Sequence, residues 1–180
     1  LLGHGPLWSG DIFDMGCGNG ILTCFLALRH PDSAFTGLEI SSNALSVAKE
    51  LAGKLAVKNV EFSKRDALGR GKCGTLLSCR TAHENVAWRA LCEESKGPTL
   101  SVEEQVRRHS QYAKELSALV RPQGHLVSIE RYEDDGAYAG LVRALERVGF
   151  CQVKGTHMQF SCKNGDGTAT FQAMVFRKNS

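Results

Sequence analysis

The chain has 180 residues, of which 42% are hydrophobic and 23% charged, and a formal net charge of +3. These values predict one globular domain over residues 1–180 with a sizeable core. They exclude a membrane span, because no stretch reaches ~20 consecutive apolar residues, and the charge permits a nucleic-acid partner without requiring one. Since the first residue is Leu1, we expect the domain to have been cut from a longer chain.

The first half of the chain alternates strand-like and helix-like segments. An apolar run over 12–15 is followed by glycines at alternate positions in DMGCGNG, and then by an apolar helix over 19–30. A strand over 34–40 precedes a helix that we expect to begin at the N-cap Ser42. A third strand follows over 60–63.

The second half continues the alternation and then changes. Its predicted elements are strands at 74–79 and 125–131, helices at 102–120 and 137–148, and strand-like runs at 150–162 and 168–176. Ser101 and Glu104 form a capping box, in which the serine caps the helix and the glutamate reaches back. KNGDG joins the last two runs, and Asn-Gly and Asp-Gly favour a hairpin. The pattern therefore predicts a parallel sheet with an antiparallel hairpin at one edge.

Polar residues follow the predicted strands at their carboxyl ends, where open α/β sheets bind ligands. They are the glycine loop, Glu39, Asp66 and the segment 78–84. These features should converge on one site.

The glycine loop lacks the spacing expected for phosphate binding. No lysine follows Gly20, which excludes a P-loop, and the third glycine comes one residue too early for a dinucleotide fingerprint. Glu39 follows Gly20 by 19 residues, and a carboxylate there indicates an adenosine with free ribose hydroxyls. Asp14, at the mouth of the loop, would repel a pyrophosphate but suits a cationic ligand. S-adenosylmethionine has a sulfonium and an ammonium group and fits both acids.

The pattern D-x-G-C-G-N-G resembles motif I of the class I S-adenosylmethionine-dependent methyltransferases, and LEIS and KRDAL resemble their second and third motifs. The resemblance implies a three-layer, Rossmann-like α/β fold with a seven-stranded, mostly parallel sheet and a C-terminal antiparallel hairpin. It also implies contacts with S-adenosylmethionine. The loop residues would surround its methionyl part, and they are Gly16, Cys17, Gly18, Asn19 and Gly20. Asp14 would bind its ammonium group, and Glu39 would bind its ribose. The adenine would be contacted by Ile40 and by Asp66 with Ala67, and the methyl group by Ser78.

The tip of the fourth strand gives less information about the methyl acceptor. Family members that act on amino bases or glutamine amides often carry [DN]-P-P-[YFW] here, and this chain has Ser78-Cys79-Arg80-Thr81 instead. We therefore expect a small molecule or a protein side chain more than a nucleic acid. Arg80 could pair with an acidic substrate, His83 could act as a base, and Glu84 is the third polar candidate. A single nearby carboxylate predicts no metal site.

Three other functions stay open. An rRNA or tRNA methyltransferase has the same cofactor motifs, a non-catalytic interaction domain could keep the fold, and an NAD-dependent oxidoreductase is disfavoured by the glycine spacing. Seven scattered cysteines without a C-x-x-C pair favour reduced thiols and a cytoplasmic location.

Overall fold

The computed structural model describes residues 5–64, 71–82, 101–131, 135–164 and 167–180. A 3-10 helix at Gly5–Trp8 precedes the regular elements. The described strands are β1 Asp11–Met15, β2 Ala34–Glu39, β3 Val60–Lys64, β4 Cys73–Cys79, β5 Val120–Arg131, β6 Phe150–Gln152, β7 Met158–Asn164 and β8 Gly167–Lys178. The described helices are α1 Ile21–Arg29, α2 Ser42–Lys54, α3 Val102–Leu119 and α4 Asp135–Arg147.

Hydroxyl side chains cap two of these helices. α2 is capped by Ser41, whose side-chain oxygen accepts a hydrogen bond from an amide of the first turn at 3.2 Å. The predicted cap, Ser42, is therefore wrong by one residue, since it is already helical. At α3, Ser101 accepts a hydrogen bond from the Glu104 amide at 3.2 Å, as predicted. The Glu104 carboxylate accepts a hydrogen bond from Arg107 and supports the first turn from its exposed side.

The described strands form one mixed sheet in the order β3-β2-β1-β4-β5-β8-β6, and β7 also pairs with β8. Neighbours among β1 to β5 are parallel, and β8 runs antiparallel to β5, β6 and β7. This arrangement confirms the predicted fold class. The chain runs outward from β1 through β2 and β3 and then returns to β4 on the other side of β1. The carboxyl ends of β1 and β4 therefore flank the point where strand order reverses, which is where such sheets bind ligands.

Two strand boundaries differ from the prediction. The run 150–162 is interrupted, so that β6 and β7 are separate strands and the described sheet has eight strands rather than seven. β5 begins at Val120 instead of His125, because the segment predicted as a turn is accommodated as a register shift in its pairing with β4. Neither difference affects the carboxyl ends of β1, β2 and β4, where the predicted site lies.

Helices cover both faces of the sheet. α3 and α4 pack on one face, in a buried cluster that includes Leu76, Leu116, Leu126, Leu141 and Phe176. The opposite face packs against α1 and α2 through two further clusters, which include Ile12, Leu26, Leu77, Ala48 and Phe62. None of the four described helices combines the length and the hydrophobicity needed to span a bilayer.

β7 forms an edge of the sheet. Within the described ranges it pairs with β8 alone. Met158 and Phe160 on this strand are 48% and 41% exposed, and the Phe160 ring stacks on Phe171 with 5.4 Å between ring centroids. The edge therefore presents apolar side chains on a strand for which the described part of the chain supplies one neighbour.

Candidate functional site

The glycine loop leaves β1 and bends back over the carboxyl end of β2. Gly16, Gly18 and Gly20 all have φ between 54° and 76°, the left-handed region that side chains disfavour. The amides of Gly16 and Cys17 donate to the Leu38 carbonyl at 2.7 and 3.1 Å, which ties the loop to β2. A Cβ added at Gly18 would meet nothing within 4 Å, so the loop borders open space at this residue.

The Glu39 carboxylate stands on the other side of this loop. One oxygen accepts a hydrogen bond from the Gly18 amide at 3.0 Å, and the other accepts from the amides of Ile40 and Ser41 at 2.7 and 2.9 Å. A carboxylate has about four acceptor positions, so among the described residues one position, on the oxygen that faces Gly18, receives no donor. The next side chain, Ile40, is 73% exposed and offers an apolar surface beside it.

Asp14 lies deeper than the sequence indicates. Its side chain is 3% exposed, and its carboxylate accepts a hydrogen bond from the Thr23 hydroxyl of α1 at 2.5 Å. Burial, partly offset by this hydrogen bond, raises the pKa of Asp14 to about 7, and the negative charge of Glu39 adds to the rise. The site therefore has two acids, of which Asp14 lacks a cationic partner among the contacts of the described residues. A bound cation would favour the ionised form of Asp14.

A buried cluster of polar side chains joins the tips of β4 and β5 to α3. The Glu130 carboxylate, 0% exposed, accepts hydrogen bonds from the Ser78 hydroxyl at 2.7 Å and the Ala82 amide at 3.1 Å. The Tyr112 hydroxyl lies 2.9 Å from Ser78 Oγ and 2.8 Å from Thr81 Oγ1, and these two oxygens are 2.8 Å apart. Ser78 was predicted to flank the methyl group, and its hydroxyl is engaged in this cluster.

Arg80 occupies a strained position at the β4 tip. Its φ is +60°, which is uncommon for a residue with a side chain, and its amide donates to the Ile129 carbonyl at 2.8 Å. The side chain is exposed. The backbone thus holds an arginine above the carboxyl end of the sheet at a conformational cost of about 1 kcal/mol or more.

The structure brings together most of the predicted cofactor residues, at the ends of β1 and β2. Asn19 is exposed beside them, and its side-chain oxygen lies 3.5 Å from the Ile21 amide, just before α1. The predictions for Asp66, Ala67, His83 and Glu84 lie outside the described residues. Within the described ranges, no three His, Cys, Asp or Glu side chains are grouped as a metal site would require.

Sequence reasoning did not identify Thr23, Tyr112 or Glu130, and it named Thr81 only as part of the β4 tip. Thr23, Thr81 and Tyr112 are ordinary residues in helices or at a strand end, and no local pattern distinguishes them. Glu130 gave the one available signal, because it is the only acid in the apolar strand HLVSIER. A buried carboxylate requires hydrogen-bond donors, and these come from β4 and the residues after it.

Comparison with known proteins agrees with the fold and the glycine loop. The family described as "Methyltransferase domain" matches residues 9–72. The release factor glutamine methyltransferase of Vibrio cholerae is 33% identical over 61 residues, which is 34% of this chain and 21% of that protein. The tRNA (guanine-N(7)-)-methyltransferase of Chloroflexus aggregans is 37% identical over 54 residues, or 30% of this chain and 24% of that protein. The matches thus span less than a quarter of these curated relatives.

Solved structures resemble the chain over nearly its whole length. NSun6 from Pyrococcus horikoshii, solved with SFG, has a TM-score of 0.69 at 21% identity, covering 94% of this chain and 48% of that one. A methyltransferase from Pyrococcus furiosus has a TM-score of 0.64 at 14% identity, covering 97% and 78%. At these identities the likeness establishes the fold. The family match over residues 9–72, the curated relatives and the fold thus agree that the chain is similar to class I, Rossmann-like methyltransferases.

Proposed function

We propose that this domain binds S-adenosylmethionine across the carboxyl ends of β1 and β2 and transfers its methyl group to an acceptor at the β4 tip. The observation that carries the proposal is the Glu39 carboxylate, which lies against a left-handed glycine loop and keeps one acceptor position open. A ribose hydroxyl is a donor that fits this position. A second hydroxyl could replace one of the amides that now donate to Glu39.

The other cofactor contacts follow from the same geometry. The open space at Gly18 would receive the methionyl part between Cys17 and Asn19, and the exposed Ile40 would lie on one face of the adenine. Asp14 would hold positive charge, because a bound cation offsets the cost of ionising a buried carboxylate.

The bound cofactor supplies an electrophilic methyl group on a good leaving group. The protein's contribution is then mainly to hold the acceptor about 3 Å from that methyl group and in line with it. Arg80 is the described residue best placed to bind an acidic acceptor, since its strained backbone keeps it at the β4 tip. His83 as a base and Glu84 as its polar neighbour stay predictions.

Calorimetry with S-adenosylhomocysteine tests the cofactor proposal. We expect saturable binding of one equivalent, and a loss of at least about tenfold in affinity for Glu39→Gln, whose amide NH₂ cannot accept a hydrogen bond. Glu50→Gln is the matched control, because it removes the same charge from an exposed position on α2. Absence of binding by the unaltered protein, together with saturable NADH fluorescence, would replace this proposal with an oxidoreductase.

We propose a small molecule or a protein side chain as the acceptor, in a reducing, cytoplasmic compartment. The hydroxyl-rich Ser78-Cys79-Arg80-Thr81 replaces the proline pair that would hold a planar amino group. The family match ends at residue 72, before this segment, and so does not bear on the acceptor. When this protein is added to a cell extract with methyl-labelled cofactor, we expect additional label in the small-molecule or protein fraction. Label confined to RNA would overturn this part, and no label in any fraction would favour an interaction domain.

A further inference from the structure

Thr81 lies directly against the first glycine of the cofactor loop. A Cβ added at Gly16 would come within 2.0 Å of the Thr81 Cγ2 methyl group, which already fills the space that a side chain would need. Thr81 is itself 4% exposed. The loop is therefore held between two supports, the β2 carbonyl that receives its amides and the methyl group of Thr81.

The buried polar cluster sets which way that methyl group points. The Thr81 hydroxyl is 2.8 Å from both Ser78 Oγ and Tyr112 OH, so rotation about χ1 would break both contacts. Glu130 anchors the cluster, since it binds the Ser78 hydroxyl with one oxygen and the Ala82 amide, one residue beyond Thr81, with the other. The buried cluster thus fixes both the Thr81 side chain and the backbone at Ala82.

We propose that Thr81 and Glu130 are positioning residues for cofactor binding, which act by holding the glycine loop in its binding conformation. This inference rests on the proposed function, because it concerns the affinity of the same site. Neither residue needs to touch the cofactor. A loop that is already ordered loses little conformational entropy when the cofactor binds. A loosened loop loses more, and this entropic cost lowers its affinity for the cofactor.

Two substitutions at Thr81 separate the role of its methyl group from the role of its hydroxyl. Thr81→Ser keeps the hydroxyl and removes the methyl group that meets Gly16. Thr81→Val keeps a methyl group in that place and removes the hydroxyl from the cluster. Each deletes one buried group, so both should lower Tm. Valine has a methyl group at both branch positions, so its contact with Gly16 does not depend on hydrogen bonds to the cluster. Only Thr81→Ser, which loses the methyl group, should therefore change the affinity of the loop.

Calorimetry with S-adenosylhomocysteine at 15 °C, where all variants are folded by circular dichroism, gives the decisive comparison. We expect Kd to rise about fivefold for Thr81→Ser and to stay within about twofold of the unaltered protein for Thr81→Val. Equal affinity in all three proteins, or equal weakening in both variants, would overturn the inference. Failure of the unaltered protein to bind would instead overturn the proposed function.

Glu130→Gln tests the anchor. One of its two acceptor oxygens becomes a donor, so we expect Kd to rise about threefold or more as the tip loosens. Ser117→Ala is the control, since Ser117 lies on α3, as Tyr112 of the cluster does, and its hydroxyl donates to the Val148 carbonyl at 3.0 Å, away from the cluster. It should lower Tm and leave Kd unchanged. If Glu130→Gln does not fold, the comparison of Thr81→Ser with Thr81→Val still tests the inference.

Discussion

At the scale of single residues, the electrostatics of the site centre on Asp14. Its carboxylate is buried beside α1 with Thr23, and burial raises its pKa to about 7 from a normal value of 3.8. The folded protein therefore binds this proton more tightly than the unfolded chain does. His109 on α3 shows the opposite effect, because burial and then the Arg108 charge lower its pKa from 6.5 to about 4.

The first prediction is a pH dependence of stability that arises from Asp14. Its contribution to the free energy of unfolding is complete below about pH 4 and is lost as pH rises through about 7, by about 4 kcal/mol in all. His109 gains stability with pH between about 4 and 6.5 and masks much of this fall. We therefore expect Asp14→Asn to be more stable than the unaltered protein at pH 8, and the difference to shrink toward pH 4.

Urea unfolding at pH 5 and pH 8 checks this prediction, with Asp11→Asn as the control. Asp11 belongs to the same strand but is exposed, 3.4 Å from Arg121, and should give no comparable change. The same Asp14→Asn protein should bind S-adenosylhomocysteine more weakly, since stability and cation binding make opposite demands on this residue. An Asp14→Asn protein that is less stable at pH 8 would contradict the account.

The sequence predicts those parts of the site whose contacting residues lie close together along the chain. The glycines and Glu39 were predictable, because turn chemistry and an acid at a strand end are visible within about 25 residues. Thr81 and Tyr112 are 31 residues apart, and Ser78 and Glu130 are 52 apart. No local rule links such pairs; only the packing of β4, β5 and α3 brings them together.

At the scale of elements, Asn59 holds the connection between α1 and β2. Its side-chain nitrogen lies 3.0, 3.1 and 2.9 Å from the carbonyl oxygens of Ala27, His30 and Ser33. These carbonyls end α1 and begin the approach to β2. One side-chain amide thus supplies donors to carbonyl oxygens at and just after the end of α1, where the last turn lacks intrahelical donors.

The second prediction follows from this contact. Asn59→Ala should lower the free energy of unfolding by about 2 kcal/mol, because it removes the Asn59 donor from the partly buried Ala27 and Ser33 carbonyls. Asn59→Asp should be worse, although it has nearly the same shape, because it points a carboxylate at three carbonyl oxygens. Chemical denaturation measures both. If the two variants are equally stable, shape rather than hydrogen bonding explains the residue.

Elements were predicted better than their ends. The order of strands and helices followed from periodicity and from turn residues, and the cap of α2 was displaced by one serine. The split of 150–162 into β6 and β7 was not visible, because both strands pair with the same neighbour, β8, and the interruption depends on that shared pairing. Strand ends in a mixed sheet are fixed by partners rather than by local composition.

At the scale of the whole molecule, the cysteines report on how the domain opens. Cys17, Cys24 and Cys73 are buried free thiols, and Cys151 and Cys162 are exposed. Burial raises the pKa of Cys17 and of Cys73 to about 12. Since thiolates are the reactive form, the buried thiols should react only through opening motions.

The third prediction is a set of alkylation rates, measured by iodoacetamide pulses and peptide mass mapping. The exposed Cys151 and Cys162 should react first, and the buried three at least about 100-fold more slowly. Saturating S-adenosylhomocysteine should slow Cys17, in the glycine loop, more than it slows Cys73 at the far end of β4. Equal slowing would indicate that the ligand stabilises the whole fold without acting on the loop.

The free edge at β7 has a consequence for handling the protein. Within the described residues β7 pairs on one side only, with β8. An edge strand with exposed apolar side chains can pair with the same strand of another molecule, so concentrated solutions should form aggregates that grow by edge-to-edge addition. Phe160→Lys would place a charge on that strand, and light scattering at high concentration should fall relative to the unaltered protein and to Phe25→Lys, an equal change on an exposed face of α1. If both changes help equally, general surface apolarity rather than the open strand limits solubility.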